Sequence, residues 1–318
     1  MTSGQQRTGS WRGRVAARLL GGASWVACHL PERLAISLAE FAGDLWYRFA
    51  PAKRRLAREN LRRVVTWMAA ERAGDPAAWP AASDPVELDR LLHSAFRHYA
   101  RNYLETMRAP TMGGAYVTER TTIEDPAVVD AAFAEKGPVI FVGLHFGSLE
   151  LPGLYLVERS GRPVTTPMEV IDEPAIQDWF VRTRNVVGIR LVDLKLARSE
   201  LAGALERGEI AGLVADRDIS GGGVKVSFFG AQAPIPIGPG LLAQQSHVPA
   251  FVAGAWRTTP GRYRGSLERI DVPAGGSRRE QITAFLTAEV AAFERLIAKA
   301  PDQWWAVFFP IWRDEAAA

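Results

Sequence analysis

From residue 138 onward the apolar positions fall into short continuous runs separated by longer stretches of helical periodicity. Runs at 139–144, 164–168, 189–194, 210–215, 248–256 and 263–270 predict strands, and 173–186, 197–207 and 239–245 predict the helices between them. That alternation predicts an α/β fold, a central, mostly parallel sheet flanked by helices. The first run is rich in β-branched residues and follows Gly137-Pro138, the pattern of a central strand covered on both faces. A long helix over 278–299 carries Ile282, Phe285, Val290, Phe293 and Ile297 on one buried stripe.

The N-terminal third has a different texture. Residues 11–30 and 34–49 predict helices with Trp11, Trp25 and Trp46 beside arginines, too short or too charged for a membrane span of about 20 apolar residues. They suit either a membrane interface or ordinary core. Lys53, Arg54, Arg55, Arg58, Arg62 and Arg63 then form a basic helical segment able to meet anionic headgroups. Residues 71–85, rich in Ala, Pro and Asp, read as a connection, and 84–107 as a helix with Leu88, Leu92, Phe96, Tyr99 and Tyr103 on one side. The expected organisation is N-terminal amphipathic helices over 1–70 and an α/β region over 84–312, together one globular unit.

Composition narrows the function classes. Lys and Arg number 38 against 35 Asp and Glu, a formal charge of +3 in 318 residues, so a strongly basic nucleic-acid binder is not expected. A single cysteine, Cys28, excludes an internal disulfide framework. His93 and His98 stand five apart, off the spacing that puts two metal ligands on one helical face, and no metal is expected. No glycine-rich nucleotide-binding signature follows a strand.

The candidate chemistry gathers at strand ends. His145 follows the run 139–144, and the pattern then becomes helical with Glu150 in the first turn. Inside one helix residues five apart diverge by about 140°. With His145 in the preceding turn, Glu150 can instead reach back and fix the imidazole tautomer. Backbone N–H groups at Gly147 and Ser148 are oxyanion candidates at the helix start. Asp216, Arg217 and Asp218 emerge from the end of the run 210–215, where open α/β sheets place ligands. Arg182 and Arg184 stand on the helix ending near Gly188, residues 228–230 and 234–240 read as a loop over the site in which Phe228 and Phe229 either line an acyl-chain groove or pack as hairpin core, and 303–312 is too aromatic for a free tail.

The blocks HFGSLE, FVRTRNVVG and VADRDISGGGVKVSFFGAQAPIPIG resemble the bacterial lipid A lauroyl/myristoyl acyltransferase family, most closely its phosphatidylinositol mannoside acyltransferases. The resemblance covers most of residues 30–312. It implies a glycerolipid-acyltransferase-like fold and transfer of a fatty acyl group from acyl-CoA or acyl-carrier protein to a glycolipid sugar hydroxyl, with no cofactor. It further implies His145 as base, Asp216 in place of a glutamate paired with that histidine, Arg184 meeting phosphate or developing charge, and attachment to the cytoplasmic face of the bacterial cell membrane. Arg182, Arg217, Phe228 and Phe229 are the other expected substrate contacts. Whether Glu150 or Asp216 orients His145 stays open. A lipid A precursor is the alternative acceptor, and a non-catalytic lipid-binding protein the alternative of another class. Ser148 lies in no nucleophile elbow, so a serine hydrolase is disfavoured.

Overall fold

A computed structural model describes residues 10–134, 137–185 and 187–312. In chain order the strands are β1 (Thr121–Ile123), β2 (Val139–Gly143), β3 (Val164–Met168), β4 (Ile189–Asp193), β5 (Ile210–Val214), β6 (Val224–Phe228), β7 (Ala231–Ile235), β8 (Ala250–Thr259) and β9 (Arg262–Ile270). The helices are α1 (Trp11–His29), α2 (Glu32–Phe49), α3 (Pro51–Glu71), α4 (Pro85–Arg108), α5 (Ala115–Arg120), α6 (Pro126–Ala134), α7 (Glu150–Ser160), α8 (Pro174–Asn185), α9 (Ala197–Glu206), α10 (Gly238–Ser246) and α11 (Arg278–Ile297).

Among the described residues the main sheet has seven strands in the order β1-β9-β8-β2-β5-β3-β4, parallel throughout except for the β8–β9 pair. The chain is therefore α/β with a mostly parallel central sheet, as its hydrophobic pattern predicts. Strand β2 lies in the middle, and alternate residues face opposite layers. Ile140 and Val142 pack with Leu242 of α10 and with Phe285 and Phe293 of α11. Val139 and Phe141 pack with Ala132 of α6 and Leu156 of α7. Both faces are covered, which is why this run is continuously apolar.

Helix α3 belongs to the same core, contributing Ala57, Leu61, Val64 and Met68. The stretch 71–85, expected as a plain connection, contains a 3₁₀ turn at Pro76–Ala82 that buries Ala78 and Ala81. The short β1, α5 and α6 carry too few periodic positions to be legible in advance. Val186, the last residue of the helix expected at 173–186, lies outside the described residues, as do residues 1–9 of the N-terminal region.

Residues 228–230 and 234–240 are expected in a loop; α10 instead begins at Gly238, and residues 224–235 form the β6–β7 hairpin. Its two-residue turn puts both Phe229 (φ 48°) and Gly230 (φ 74°) in the left-handed region, the conformation that matches strand twist in a tight hairpin. Phenylalanine is an unusual occupant there. Its amide is held by Glu294 Oε1 at 2.6 Å, so the turn is fixed by α11 and not by local preference.

Candidate active site

Strands β2 and β5 run parallel in a register that pairs Gly143 with Val214. Two residues further along each strand stand His145 and Asp216, so the sheet itself brings them side by side. Asp216 is fully buried. Its Oδ1 takes His145 Nδ1 at 2.6 Å, and its Oδ2 accepts from the His145 backbone N–H at 3.0 Å and from the Trp304 indole N–H at 2.7 Å. Burial by itself raises a carboxyl pKa. The facing His145 and the donors from ring, indole and backbone outweigh it, so the Asp216 carboxyl is held below its ordinary value.

The segment after α11 fastens this pair. Trp304 forms an isolated bridge with Phe146, the Trp305 N–H donates to the His145 carbonyl at 2.9 Å, and the Trp305 ring meets the imidazole edge-on at 4.4 Å. The Gln303 side chain accepts from the Arg257 N–H at 2.9 Å and donates to the Arg257 carbonyl at 2.8 Å. Behind it, Arg257 is locked to buried Glu105 by two bonds at 2.7 and 2.6 Å, with the Tyr263 hydroxyl on the same carboxylate at 3.0 Å. The sequence marks 303–312 only as a packed aromatic segment. That an indole donates to the acid is a tertiary fact with no local signal.

Several expected roles change. Glu150 does not reach the imidazole. Its buried carboxylate accepts from Arg184 Nε at 3.0 Å, from Arg184 Nη2 and from Thr106 Oγ1 at 3.1 Å. The physical reason is the start of α7: with Glu150 as its first residue the side chain points across to α8 and α4. Arg184 is consequently spent on Glu150 rather than left open for phosphate. Between the two candidate acids, Asp216 is the one on His145.

The oxyanion expectation at Gly147 and Ser148 is also corrected. The Gly147 N–H donates to the Gln303 carbonyl at 2.9 Å and the Ser148 N–H to the Ala255 carbonyl at 3.1 Å. Neither is available to a developing oxyanion. Gly147 is conformationally required here, since its φ is +51° and an added Cβ would lie 1.9 Å from the Ala255 carbonyl oxygen.

Phe228 and Phe229 are buried and line no part of the cleft next to Gly143 and Leu144. They pack behind the acid, Phe228 at 5.4 Å and Phe229 at 5.9 Å from the Trp304 ring. Asp218 organises its own loop by accepting from the N–H groups of Ser220, Gly221 and Gly223 at 3.0, 3.1 and 2.9 Å. Arg217 lies 4.0 Å from the centre of the Phe309 ring, with Glu169 4.0 Å from its Nη2 and its buried Nε without a hydrogen-bond partner. Its Nε donor is still unspent. Arg182 is exposed on α8.

Beside the pair, on the α7 side of the sheet, runs a narrow cleft of about 160 Å³. Its walls are mainly apolar, including Gly143, Leu144, Phe141, Leu156 and Met168, and Glu150 and Arg184 also line it. His145 stands just past the Gly143–Leu144 wall. His145 and Asp216 are not among the cleft's lining residues, but Leu144 and Phe146, the chain neighbours of His145, both are.

The chain belongs to the bacterial lipid A biosynthesis acyltransferase family, which it matches over residues 14–313. Among curated proteins it is similar to a phosphatidylinositol mannoside acyltransferase of Mycolicibacterium smegmatis, 28% identical over 252 residues, covering 78% of this chain and 76% of that protein. It is also similar to the phosphatidylinositol mannoside acyltransferase of Mycobacterium tuberculosis, 25% identical over 297 residues, covering 92% and 87%.

Proposed function

We propose that this acyltransferase moves a fatty acyl group from an acyl thioester, acyl-CoA or acyl-carrier protein, to a sugar hydroxyl of a phosphatidylinositol mannoside, with His145 as general base. The observation that carries the reading is the His145 Nδ1–Asp216 Oδ1 contact of 2.6 Å. An ionised Asp216 fixes the proton on Nδ1 and leaves the Nε2 lone pair as the base.

The reaction then balances within the site. Nε2 takes the hydroxyl proton as the sugar oxygen forms its bond to the thioester carbonyl carbon. The tetrahedral intermediate collapses, the carbon–sulfur bond breaks, and the departing thiolate takes the proton back from the imidazolium. No covalent acyl-enzyme is formed. Asp216 stabilises the transient imidazolium, and the tautomer it imposes is what makes the ring a base at all.

The proposed place of action is the cytoplasmic face of the bacterial cell membrane, and the exterior supports contact with a membrane surface. Trp11, Leu19, Trp25, Leu34, Phe41 and Phe49 are exposed on α1 and α2, and α3 presents Lys53, Arg55, Arg62 and Arg63 to solvent. Apolar side chains beside basic ones are the composition of an interfacial anchor. No helix among the described residues is long and apolar enough to cross a membrane. The family description favours a second acceptor, a lipid A precursor.

The test is transfer of labelled palmitate from palmitoyl-CoA and from palmitoyl-carrier protein to purified phosphatidylinositol mannosides and to lipid A precursors, with His145→Ala in parallel. Labelled mannoside that disappears in the variant is expected. Label only on the lipid A precursor moves the acceptor, and label on neither removes the proposed reaction.

A further inference from the structure

The phosphate contact expected of Arg184 falls to no residue once that side chain is held by Glu150. Arg217 stands at the same edge of the sheet as the dyad. Strands β2, β3 and β5 are mutually parallel, so His145, Glu169 and the pair Asp216-Arg217, which follow their C-terminal ends, share the edge where open α/β sheets bind ligands. Arg217 is close enough to act on the Tyr99 hydroxyl. Tyr99 in turn stacks at 5.1 Å on Trp305, whose ring meets the His145 imidazole.

A second cation reaches the same place. The Arg217 guanidinium lies 4.0 Å from the centre of the Phe309 ring and the Lys53 ammonium 4.9 Å from it. The two charges are therefore neighbours of one side chain, no further apart than those distances together. Lys53 is exposed in the first turn of α3, and its Nζ donates to the Phe308 carbonyl at 3.0 Å, a neutral acceptor that leaves the charge unbalanced.

The carboxylates near Arg217 do not neutralise it. Asp216 is occupied by His145 and Trp304, and Asp218 by the amides of its own loop. Glu169 is 54% exposed and 4.0 Å from Arg217 Nη2, a loose pairing screened by solvent. Arg217 Nε is buried and has no hydrogen-bond partner among the described residues. A planar donor fork and an ammonium beside one aromatic ring suit a phosphate group.

We infer that Arg217 and Lys53 bind the phosphate group of a substrate at the edge of the acyl-transfer centre. The inference rests on the proposed transfer for the molecules that bring such a group there, the donor with its phosphopantetheine arm and the lipid acceptor with its phosphodiester. Its readout is binding without turnover, so it stands or falls separately from the role of His145.

The test is equilibrium dialysis of the full chain with two labelled pairs, phosphopantetheine against pantetheine and glycerophosphoinositol against inositol. Wild type should bind the phosphate-bearing member of at least one pair more tightly than its phosphate-free partner. Lys53→Ala and Arg217→Ala should each weaken that ligand about 10- to 100-fold, the scale of a hydrogen bond to a charged group, and leave phosphate-free binding unchanged. The exposed Lys53 position keeps the test decisive should Arg217→Ala fold poorly. A loss on phosphopantetheine assigns the phosphate to the donor, a loss on glycerophosphoinositol to the acceptor, and a loss on both to a site open to either. Arg62→Ala removes an equal charge at an exposed position further along α3 and should change nothing. No preference for phosphate in wild type, a preference that survives Lys53→Ala or Arg217→Ala, or an equal loss in Arg62→Ala overturns the inference.

Discussion

Trp304 donates its indole N–H to Asp216 Oδ2 at 2.7 Å, on the oxygen beside the one that receives His145 Nδ1. A residue remote in sequence thus completes the cradle of a buried carboxylate. Trp304→Phe keeps the ring and removes the donor. A hydrogen bond to a charged group is worth about 1.5–3 kcal/mol, so kcat/KM should fall roughly 10- to 100-fold. The acid limb of the pH profile should also move upward, because the carboxylate loses part of what holds its pKa down. A pH–rate comparison of the two proteins checks both.

Asp216→Asn keeps the shape but presents an amide N–H₂ to Nδ1, favouring the tautomer that places the proton on Nε2. Turnover should fall by about 10³–10⁴, the scale on which a triad carboxylate matters. Glu150→Gln should behave differently. It weakens a buried ion pair with Arg184 whose rupture costs about 3–5 kcal/mol, so the thermal midpoint should drop while the acid limb of the pH profile stays in place. Thermal unfolding alongside pH–rate curves separates the two carboxylates.

Gly147→Ala forces a side chain into a left-handed backbone and against the Ala255 carbonyl oxygen, 1.9 Å from the new Cβ. The expected destabilisation is at least about 3 kcal/mol, read as a lower denaturant midpoint.

Glu289 on α11 is fully buried, neither of its oxygens has a hydrogen-bond partner among the described residues, and burial followed by the nearby Asp216 charge raises its pKa well above 4.5. A carboxyl with a raised folded-state pKa contributes fully below its unfolded value and loses that contribution as pH rises toward the folded one. Glu289→Gln should therefore be more stable than wild type at pH 7, and the difference should shrink toward pH 4. Denaturant unfolding at the two pH values tests the sign.

The centre of the sheet was legible because β2 is buried on both faces, and β2, β3 and β5 begin where the hydrophobic runs begin. The pairing of His145 with Asp216 was half legible: each stands at a strand's end, but the register that aligns them comes from β2 and β5 packing together. Glu150 was misplaced because spacing along the chain does not say which neighbour a helix's first residue will face. Arg184, on a different helix, decided it. The Gly147 and Ser148 amides looked free for the same reason, since their acceptors, Gln303 and Ala255, are remote in sequence. Phe228 and Phe229 read equally well as groove or core, and the arrival of Trp304 and Trp312 beside them made them core.

The central claim is that His145, held by Asp216, is the base. Initial rates of palmitoyl transfer to phosphatidylinositol mannoside by wild type and His145→Ala test it most directly. General-base assistance is worth about 10²–10⁴-fold, so the variant should lose at least two orders of magnitude in kcat while remaining folded at the assay temperature. A folded His145→Ala protein that transfers palmitate at the wild-type rate would contradict the account.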